Sequence, residues 1–567
     1  MKAENRPESR VAMHLHPGSI HDDGERSIYG ARVSVPTFIE ALLRHGRPGH
    51  YQLYYTSDPL GGPQLARSYL ERRAAEQTTA RLTASDINVL KRDFRRFPFR
   101  VWHDADGDIE TPIKLRDTYS QKLYPVTATS HVYSYQELLH DWILKLLLRD
   151  TRPCDCVICP GRGARTALLN VLGEVSARLG HFLGSDIKFK GRVEHIPYPI
   201  DTELFRPRDK TLVRRELGLP EDAFLIVWIG RVSSIDKADL LPLVRVFGEL
   251  LRANPGHALK LVIAGSGPEP CVEALRRQTE SLGIEDSVIM YTPLRPSRRH
   301  LMHAAADVFV SIADNVQEAC GITPMEALAS GVPQVVSDWD GYGETVRDGE
   351  TGFVIPTYWV RDDVDICLGS GIYDDYDRLD HFALAQSLAV DFDALRLALQ
   401  RLIDDERLRL LMAENSRRRA SEEYAAARII RLHEELWDEL VETASRLPFE
   451  PGAARRYDTP AFVKMFSHYG TLVLEDSTTV TITEAGRRVA DGEEPLPLYE
   501  SFGVLSGALL HQLLRALVSA GGADSIAGLA GRVVEETSPP PEGARRHVLW
   551  LVKYGLARVG PLAPLKS

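Results

Sequence analysis

Cysteine is scarce, with six in 567 residues, so a disulfide framework is excluded for a chain of this length. Three of the six, Cys154, Cys156 and Cys159, cluster. A structural zinc site takes four ligands at recognisable spacing, and no fourth accompanies them. They read as reduced thiols on a buried strand, and no metal is expected. Long apolar runs are also missing: none approaches the roughly 18 residues of a membrane span. The polar opening Met-Lys-Ala-Glu-Asn-Arg carries no leader pattern, so a soluble cytoplasmic protein is expected. Positive charge is in deficit as well. A formal net charge of −11 argues against wholesale attraction to nucleic acid or anionic lipid, leaving partners to be sought site by site.

Apolar residues are plentiful: 44% of the chain is hydrophobic, enough for sizeable cores. The length predicts three or four packing units. In the first half, strands are predicted at Val11–His16, Tyr51–Thr56, Phe99–His103, Pro125–Ser130 and Asp155–Cys159. Helices are predicted near Val33–Arg44 and Leu138–Leu148. A glycine-bearing loop from Gly18 to Gly30 separates the first strand from the first helix, without a GxGxxG fingerprint. Alternating strands and helices imply a doubly wound parallel sheet. His131 then falls just past the carboxyl end of a strand, where such sheets place ligands, although a lone histidine is more often structural. Lys91, Arg92, Arg95, Arg96 and Arg100 interleave with Phe94, Phe97 and Phe99. Segment 91–100 reads first as a solvated helix face with buried rings, and alternatively as a transient contact with an anionic acceptor or a membrane surface.

A proline-punctuated connection from Ile196 predicts a domain boundary near Arg208, after which the alternation restarts. Strands are predicted at Phe224–Ile229, Leu259–Ala264, Val288–Tyr291, Val308–Ile312 and Gln334–Ser337. The first ends in Gly230-Arg231 with Lys237 close behind, a cationic pair suited to a diphosphate. The fourth runs into Glu318-Ala-Cys-Gly-Ile-Thr-Pro-Met-Glu326. Thr323 is the expected N-cap there and Pro324 the first helical residue. That leaves the amides of Gly321 to Met325 facing outward at a positive helix end. Thr323 and Glu326 also spell a capping box, so Glu326 has a purely structural reading beside a ligand-binding one.

These motifs together resemble glycosyltransferase family 4, retaining enzymes of GT-B fold. They are Pro197-Tyr-Pro-Ile-Asp-Thr-Glu-Leu-Phe, Gly230-Arg231 with Lys237, Ala264-Gly-Ser-Gly-Pro, the Glu318 and Glu326 pair, and Ser337-Asp-Trp-Asp-Gly-Tyr-Gly-Glu with Gly352-Phe. The resemblance covers most of residues 10–445. It implies two Rossmann-like domains, the first (1–207) for an acceptor and the second (208–380) for a nucleotide-sugar donor, with helices 381–447 completing the core. By matching position, Arg231 and Lys237 would hold the donor diphosphate, Glu318 the sugar hydroxyls and Glu326 the ribose. Gly321, Ile322 and Thr323 would supply amides, His131 would lie beside the reacting sugar, and Gly30 would face the phosphates. The implied reaction is retaining hexosyl transfer to a glycan, lipid-linked or small natural-product acceptor, with no cofactor. A phosphorylase or disaccharide synthase on the same fold and a non-catalytic sugar-nucleotide sensor with a protein- or DNA-binding tail are the alternatives.

Beyond Leu447 the composition shifts. A helix at Pro460–His468 and a hairpin of Thr471–Glu475 with Thr478–Thr483 suggest a winged-helix-like module. Helices at Leu505–Ala520, Ser525–Glu536 and Glu542–Tyr554 suggest a second. Residues 448–567 are therefore expected to form a small α+β extension. Its basic and acidic residues nearly balance, which points to acceptor docking or homodimer contact rather than to nucleic acid.

Overall fold

The computed structural model describes residues 10–15, 30–55, 81–90, 93–94, 99–131, 134, 142–235, 237–316, 318–360, 379–451, 465, 474–496, 505–533 and 541–560. Two parallel sheets dominate. The first holds β1 (Arg10–Leu15), β2 (His50–Tyr55), β3 (Arg81–Asp86), β4 (Phe99–Asp104), β5 (Val126–Thr129), β6 (Cys156–Cys159) and β7 (Arg192–His195), in the order β3-β2-β1-β4-β5-β6-β7. The second holds β8 (Phe224–Arg231), β9 (Leu259–Ser266), β10 (Val288–Tyr291), β11 (Val308–Ser311), β12 (Gln334–Ser337) and β13 (Gly352–Ile355), ordered β10-β9-β8-β11-β12-β13. Each order reverses once, between β1 and β4 and between β8 and β11. Crevices open at such switch points, beyond the carboxyl ends of the strands. A small antiparallel pair, β14 (Thr357–Trp359) with β15 (Leu388–Val390), follows the second sheet.

Strand β8 shows why the second sheet is buried on both faces. Its side chains alternate, so Leu225, Val227 and Ile229 enter one core with Val213, Leu301 and Met302. Ile226 and Trp228 enter the other, with Leu243, Val244 and Phe247. Burying each such residue stabilises the fold by about 1.5–3 kcal/mol, and continuous apolar strands covered on both sides are the mark of parallel sheets. In the first sheet Val11 and Met13 pack on one side while Ala12 and Trp102 pack on the other.

Helices flank both sheets. Those that bear on the site are α1 (Gly30–His45), α2 (Arg162–Leu183), α3 (Arg299–Ala305), α4 (Ile322–Ala329), α5 (Gly341–Thr345), α6 (Glu406–Arg419) and α7 (Ala426–Arg446). The chain returns to the first sheet through α7: Ile430 and Trp437 pack with Val11, Met13 and Val101, and Ile429, Leu436 and Leu440 pack with Cys156 and Ile158. Residues three and four apart on one stripe make this contact, as an amphipathic helix requires.

In the two parallel sheets the predicted strands match observed ones to within a residue or two, while β3, β7 and β13, and the pair β14 and β15, were not expected from the sequence. Cys156 and Cys159 lie on β6, Cys154 just precedes it, and all three are buried and outside any disulfide. The basic segment 91–100 falls largely outside the described residues, but Phe94 and Phe99 are buried in the first core. Only Leu144–Leu148 of the apolar stretch from Leu138 is described as α-helix. Among the described residues no helix is long and apolar enough to cross a membrane.

The described residues beyond Tyr457 belong to a second compact unit. Strand β16 (Thr479–Ile482) is central in an antiparallel sheet, flanked by β17 (Ala523–Ser525) and β18 (Ala557–Val559). Helices α8 (Glu484–Ala490), α9 (Gly507–Ser519), α10 (Ile526–Val533) and α11 (Pro541–Lys553) cover it. The expected hairpin is corrected here. Leu474 and Glu475 are not strand, and Thr479–Ile482 pairs with distant segments instead. Nor are there two separate modules: Val480 and Val489 share one core with Leu510, Ile526 and Leu551. The predicted helix at Pro460–His468 lies almost wholly outside the described residues.

Candidate functional site

Strand β8 delivers Gly230-Arg231 to the carboxyl edge of the second sheet. The neighbouring strand β11 ends at Ser311, and the loop after it carries Glu318 toward β8. Lys237, in the loop after β8, donates to Glu318 Oε2 in a very short contact and to the Tyr342 hydroxyl at 3.2 Å. That hydroxyl accepts from Ser311 Oγ at 3.0 Å and donates to Glu318 Oε2 at 3.2 Å. The second Glu318 oxygen accepts from Gly321 N at 2.9 Å. A lysine, a carboxylate, a phenol and a helix-end amide therefore form one network at the switch point.

Electrostatics fix its charge state. Burial alone would lower the Lys237 pKa, but Glu318 beside it, and Tyr342 after it, raise it above the ordinary lysine range. Burial alone would raise the Glu318 carboxyl, yet Lys237 holds it below the usual carboxylate range. Both groups are ionised at neutral pH. Burial, then Glu318, pushes the Tyr342 hydroxyl up to about 12. Behind Lys237, its carbonyl accepts from Asn315 Nδ2, whose own carbonyl accepts from Trp339 Nε1 at 2.7 Å.

Helix α4 begins two residues earlier than the sequence suggests, at Ile322 rather than Pro324. Its N-cap is Gly321 at φ 81°, without a side-chain cap. The expected capping box is thereby overturned: Thr323 lies inside the helix with its hydroxyl buried and unpartnered. Glycine wins the cap because a Cβ at 321 would sit 2.4 Å from the Tyr342 ring, and because the left-handed region suits glycine. The amides of Ile322 and Thr323 belong to the first turn, where a helix offers them no carbonyl.

Glu326 stands outside the lysine network. It is 1% exposed and binds Arg299 Nη2 at 2.7 Å and His303 Nε2 at 3.1 Å, both from α3. Burial lowers the His303 pKa, against the pull of Glu326. His131 follows β5, with Nε2 2.6 Å from the Ala105 carbonyl and Nδ1 2.5 Å from the Tyr198 hydroxyl. A carbonyl only accepts, so Nε2 carries the proton and Nδ1 accepts from Tyr198. Burial lowers the His131 pKa further toward this neutral form. Gly30 opens α1, while residues 16–29 of the preceding loop lie outside the described set.

Tyr342, Ser311, Asp340 and Asn315 were not assigned roles from sequence. The motif from Ser337 to Glu344 was the available signal, because a Gly-Tyr-Gly turn after an apolar strand marks close backbone approach. Asp340 has φ 46°, a region L-residues rarely occupy. Burial, then Glu318 and Glu344, raises its carboxyl to about 7. Among the described residues no group of three His, Cys, Asp or Glu side chains is placed to hold a metal ion.

Residues 209–364 match the sequence profile of the family "Glycosyl transferases group 1". D-inositol 3-phosphate glycosyltransferase of Nocardia farcinica is 33% identical over 215 residues, 37% of this chain and 46% of that protein. The protein of the same name from Acidothermus cellulolyticus is 35% identical over 172 residues, 29% of this chain and 37% of that one. The match thus spans less than half the length of these curated relatives. Among solved structures, a glycosyltransferase from Rickettsia africae superposes with a TM-score of 0.53 at 11% identity, over 77% of this chain and 100% of that one. Anabaena Alr3699/HepE, solved with UDP and glucose, does so with a TM-score of 0.50 at 14% identity, over 76% and 100%. At such identities the likeness concerns the fold, which is the α/β GT-B fold.

Proposed function

We propose that this chain is a retaining glycosyltransferase that moves a hexose from a nucleotide-diphosphate sugar to a glycan, lipid-linked or small natural-product acceptor. The observation that carries the reading is the ionised Lys237–Glu318 pair beside the start of α4, joined by Tyr342 of α5. Breaking a glycosyl–phosphate bond sends the electron pair to the departing diphosphate and leaves positive character on the sugar ring. Arg231, Lys237 and the amides of Ile322 and Thr323 would stabilise the first, the Gly321 amide being held by Glu318. The Glu318 carboxylate would accept from sugar hydroxyls and stand near the second. Attack from the same face, with the leaving phosphate taking the acceptor's proton, needs no nucleophilic carboxylate and no cofactor.

Glu326 would reach a ribose only by sharing its bonds to Arg299 and His303, so we assign it to the ribose with His303 as its positioning neighbour. His131 would line the acceptor side as a neutral imidazole, and Gly30 would face the phosphates. The extension is read as winged-helix-like, on its helix, strand, helix, helix, strand order from α9 to β18, and as a platform for acceptor docking or homodimer contact.

The test is a screen of UDP-, GDP- and ADP-sugars for binding and slow hydrolysis, with Glu318→Ala and Lys237→Ala as controls. D-inositol 3-phosphate, which the curated relatives are named for, joins the acceptor panel, and inorganic phosphate tests the phosphorylase alternative. Failure of every nucleotide-sugar to bind the wild type at millimolar concentration overturns the transferase reading. Binding without turnover would favour the sensor.

A further inference from the structure

The donor-side loop is fastened to the first domain by a contact that the proposed reaction does not call on. Helix α2 of the first domain starts at Gly161, which offers no side-chain cap. Its first amides are met instead by a carboxylate far along the chain: Glu344 Oε2 accepts from Arg162 N at 2.8 Å and Oε1 from Gly163 N at 2.7 Å. A full negative charge on the positive end of a 22-residue helix is a favourable pairing. The backbones on either side touch. A Cβ at Gly161 would lie 2.7 Å from the Ala319 carbonyl oxygen, and one at Gly163 would lie 2.1 Å from Asp340 Oδ1. Cys320 Sγ donates to the Pro160 carbonyl at 3.1 Å.

The element that carries Glu344 is itself braced. A Cβ at Gly341 would be 2.6 Å from Cys320 Cα, so α5 rests directly on the Glu318 loop. Arg419, at the end of α6, donates to the Glu344 carbonyl at 2.8 Å. Asp340 adopts its left-handed backbone at the same turn, a conformation that costs of order 1–3 kcal/mol and persists where surrounding contacts impose it.

We propose that Glu344 is a cross-domain positioning residue: by seating on α2 it presses the loop 160–163 against Ala319 and Cys320 and so sets where Glu318 stands. Residues 319 and 320 belong to both the domain seam and the loop that presents Glu318. Separation of the domains at this seam therefore displaces the donor-side carboxylate.

The test uses the full chain without ligand, by hydrogen exchange of Glu344→Ala, Glu344→Gln and Gly163→Ala. Two charge-assisted hydrogen bonds are lost in Glu344→Ala, so exchange across 161–165 and across 318–323 should both accelerate, by about tenfold or more. The strands β8 to β12 should keep wild-type protection. Glu344→Gln, which retains its acceptor oxygen, should fall between, and Gly163→Ala should reproduce the effect by wedging the seam from the other side. Faster exchange at 161–165 with 318–323 unchanged reduces Glu344 to a helix cap and overturns the proposal, as does no change in either segment. The kinetic arm rests on the transferase reading: with UDP-glucose as probe, kcat for hydrolysis should fall about tenfold in Glu344→Ala while KM stays within about threefold, with partial rescue in Glu344→Gln. Should the wild type not hydrolyse any donor, the transferase reading fails, and the exchange data still decide the positioning role.

Discussion

Glu318→Gln is expected to tighten binding of the bare nucleotide while abolishing turnover of the nucleotide-sugar. In the ligand-free protein Lys237 is held by Glu318, and their side chains are 18% and 11% exposed. Two unit charges about 4 Å apart at an effective dielectric of 20 attract by about 4 kcal/mol, so Glu318 neutralises much of the cation a diphosphate would meet. Glutamine keeps an acceptor for Gly321 N but presents no charge, leaving Lys237 to the ligand. Removing one negative charge from the neighbourhood of a diphosphate, after screening, is worth about 1 kcal/mol, or roughly fivefold in Kd. Turnover goes the other way. A carboxylate that accepts from sugar hydroxyls forfeits about 1.5–3 kcal/mol per bond on becoming neutral, so hydrolysis should drop about a hundredfold or more. Calorimetric titration with UDP at low salt, beside the hydrolysis rate of UDP-glucose, gives both numbers. Weaker or unchanged UDP binding, or hydrolysis within tenfold of wild type, refutes the reasoning. Lys237→Met should lose both binding and turnover.

Two further outcomes follow from the same structure. Burial raises Asp314 to about 8 from an ordinary 3.8, so its protonated form is favoured in the folded protein. Its contribution is complete below about pH 4 and is lost as pH rises through 8. Asp314→Asn, which keeps an acceptor for Asp239 N at 3.1–3.2 Å, should therefore gain in Tm over the wild type between pH 5 and pH 9, with a slope of at most about 1.4 kcal/mol per pH unit. A Tm difference that stays flat over that range refutes the assignment. Gly321→Ala meets both a φ of 81° and the Tyr342 ring at 2.4 Å. It should cost about 1–3 kcal/mol, and UDP affinity should fall at least tenfold in a protein whose far-ultraviolet dichroism is unchanged.

What the sequence disclosed, and what it withheld, divides along a physical line. Continuous apolar runs such as Phe224–Ile229 announce strands because Leu225–Ile229 are each buried on one face or the other, and that pattern is written locally. The ends of those runs are local too, so Gly230-Arg231 and the Glu318 loop were legible as neighbours on one sheet edge. Partner choice among side chains is not local. Thr323 and Glu326 have the spacing of a capping box, but the cap went to Gly321, where the Tyr342 ring leaves no room for a Cβ. Glu326 went to Arg299 and His303, whose helix precedes β11 and reaches α4 only once the sheet is formed. The tail repeats the lesson, since β16 has strand residues but finds its partners in β17 and β18, well beyond the hairpin that its own flanks suggested. Glu344 is the extreme case: its two acceptors are satisfied 181 and 182 residues away. Composition near Glu344 therefore holds no sign of its role, whereas the unassisted glycine start of α2 holds half of it, because a helix end without a side-chain cap leaves amides open to a partner from elsewhere in the chain.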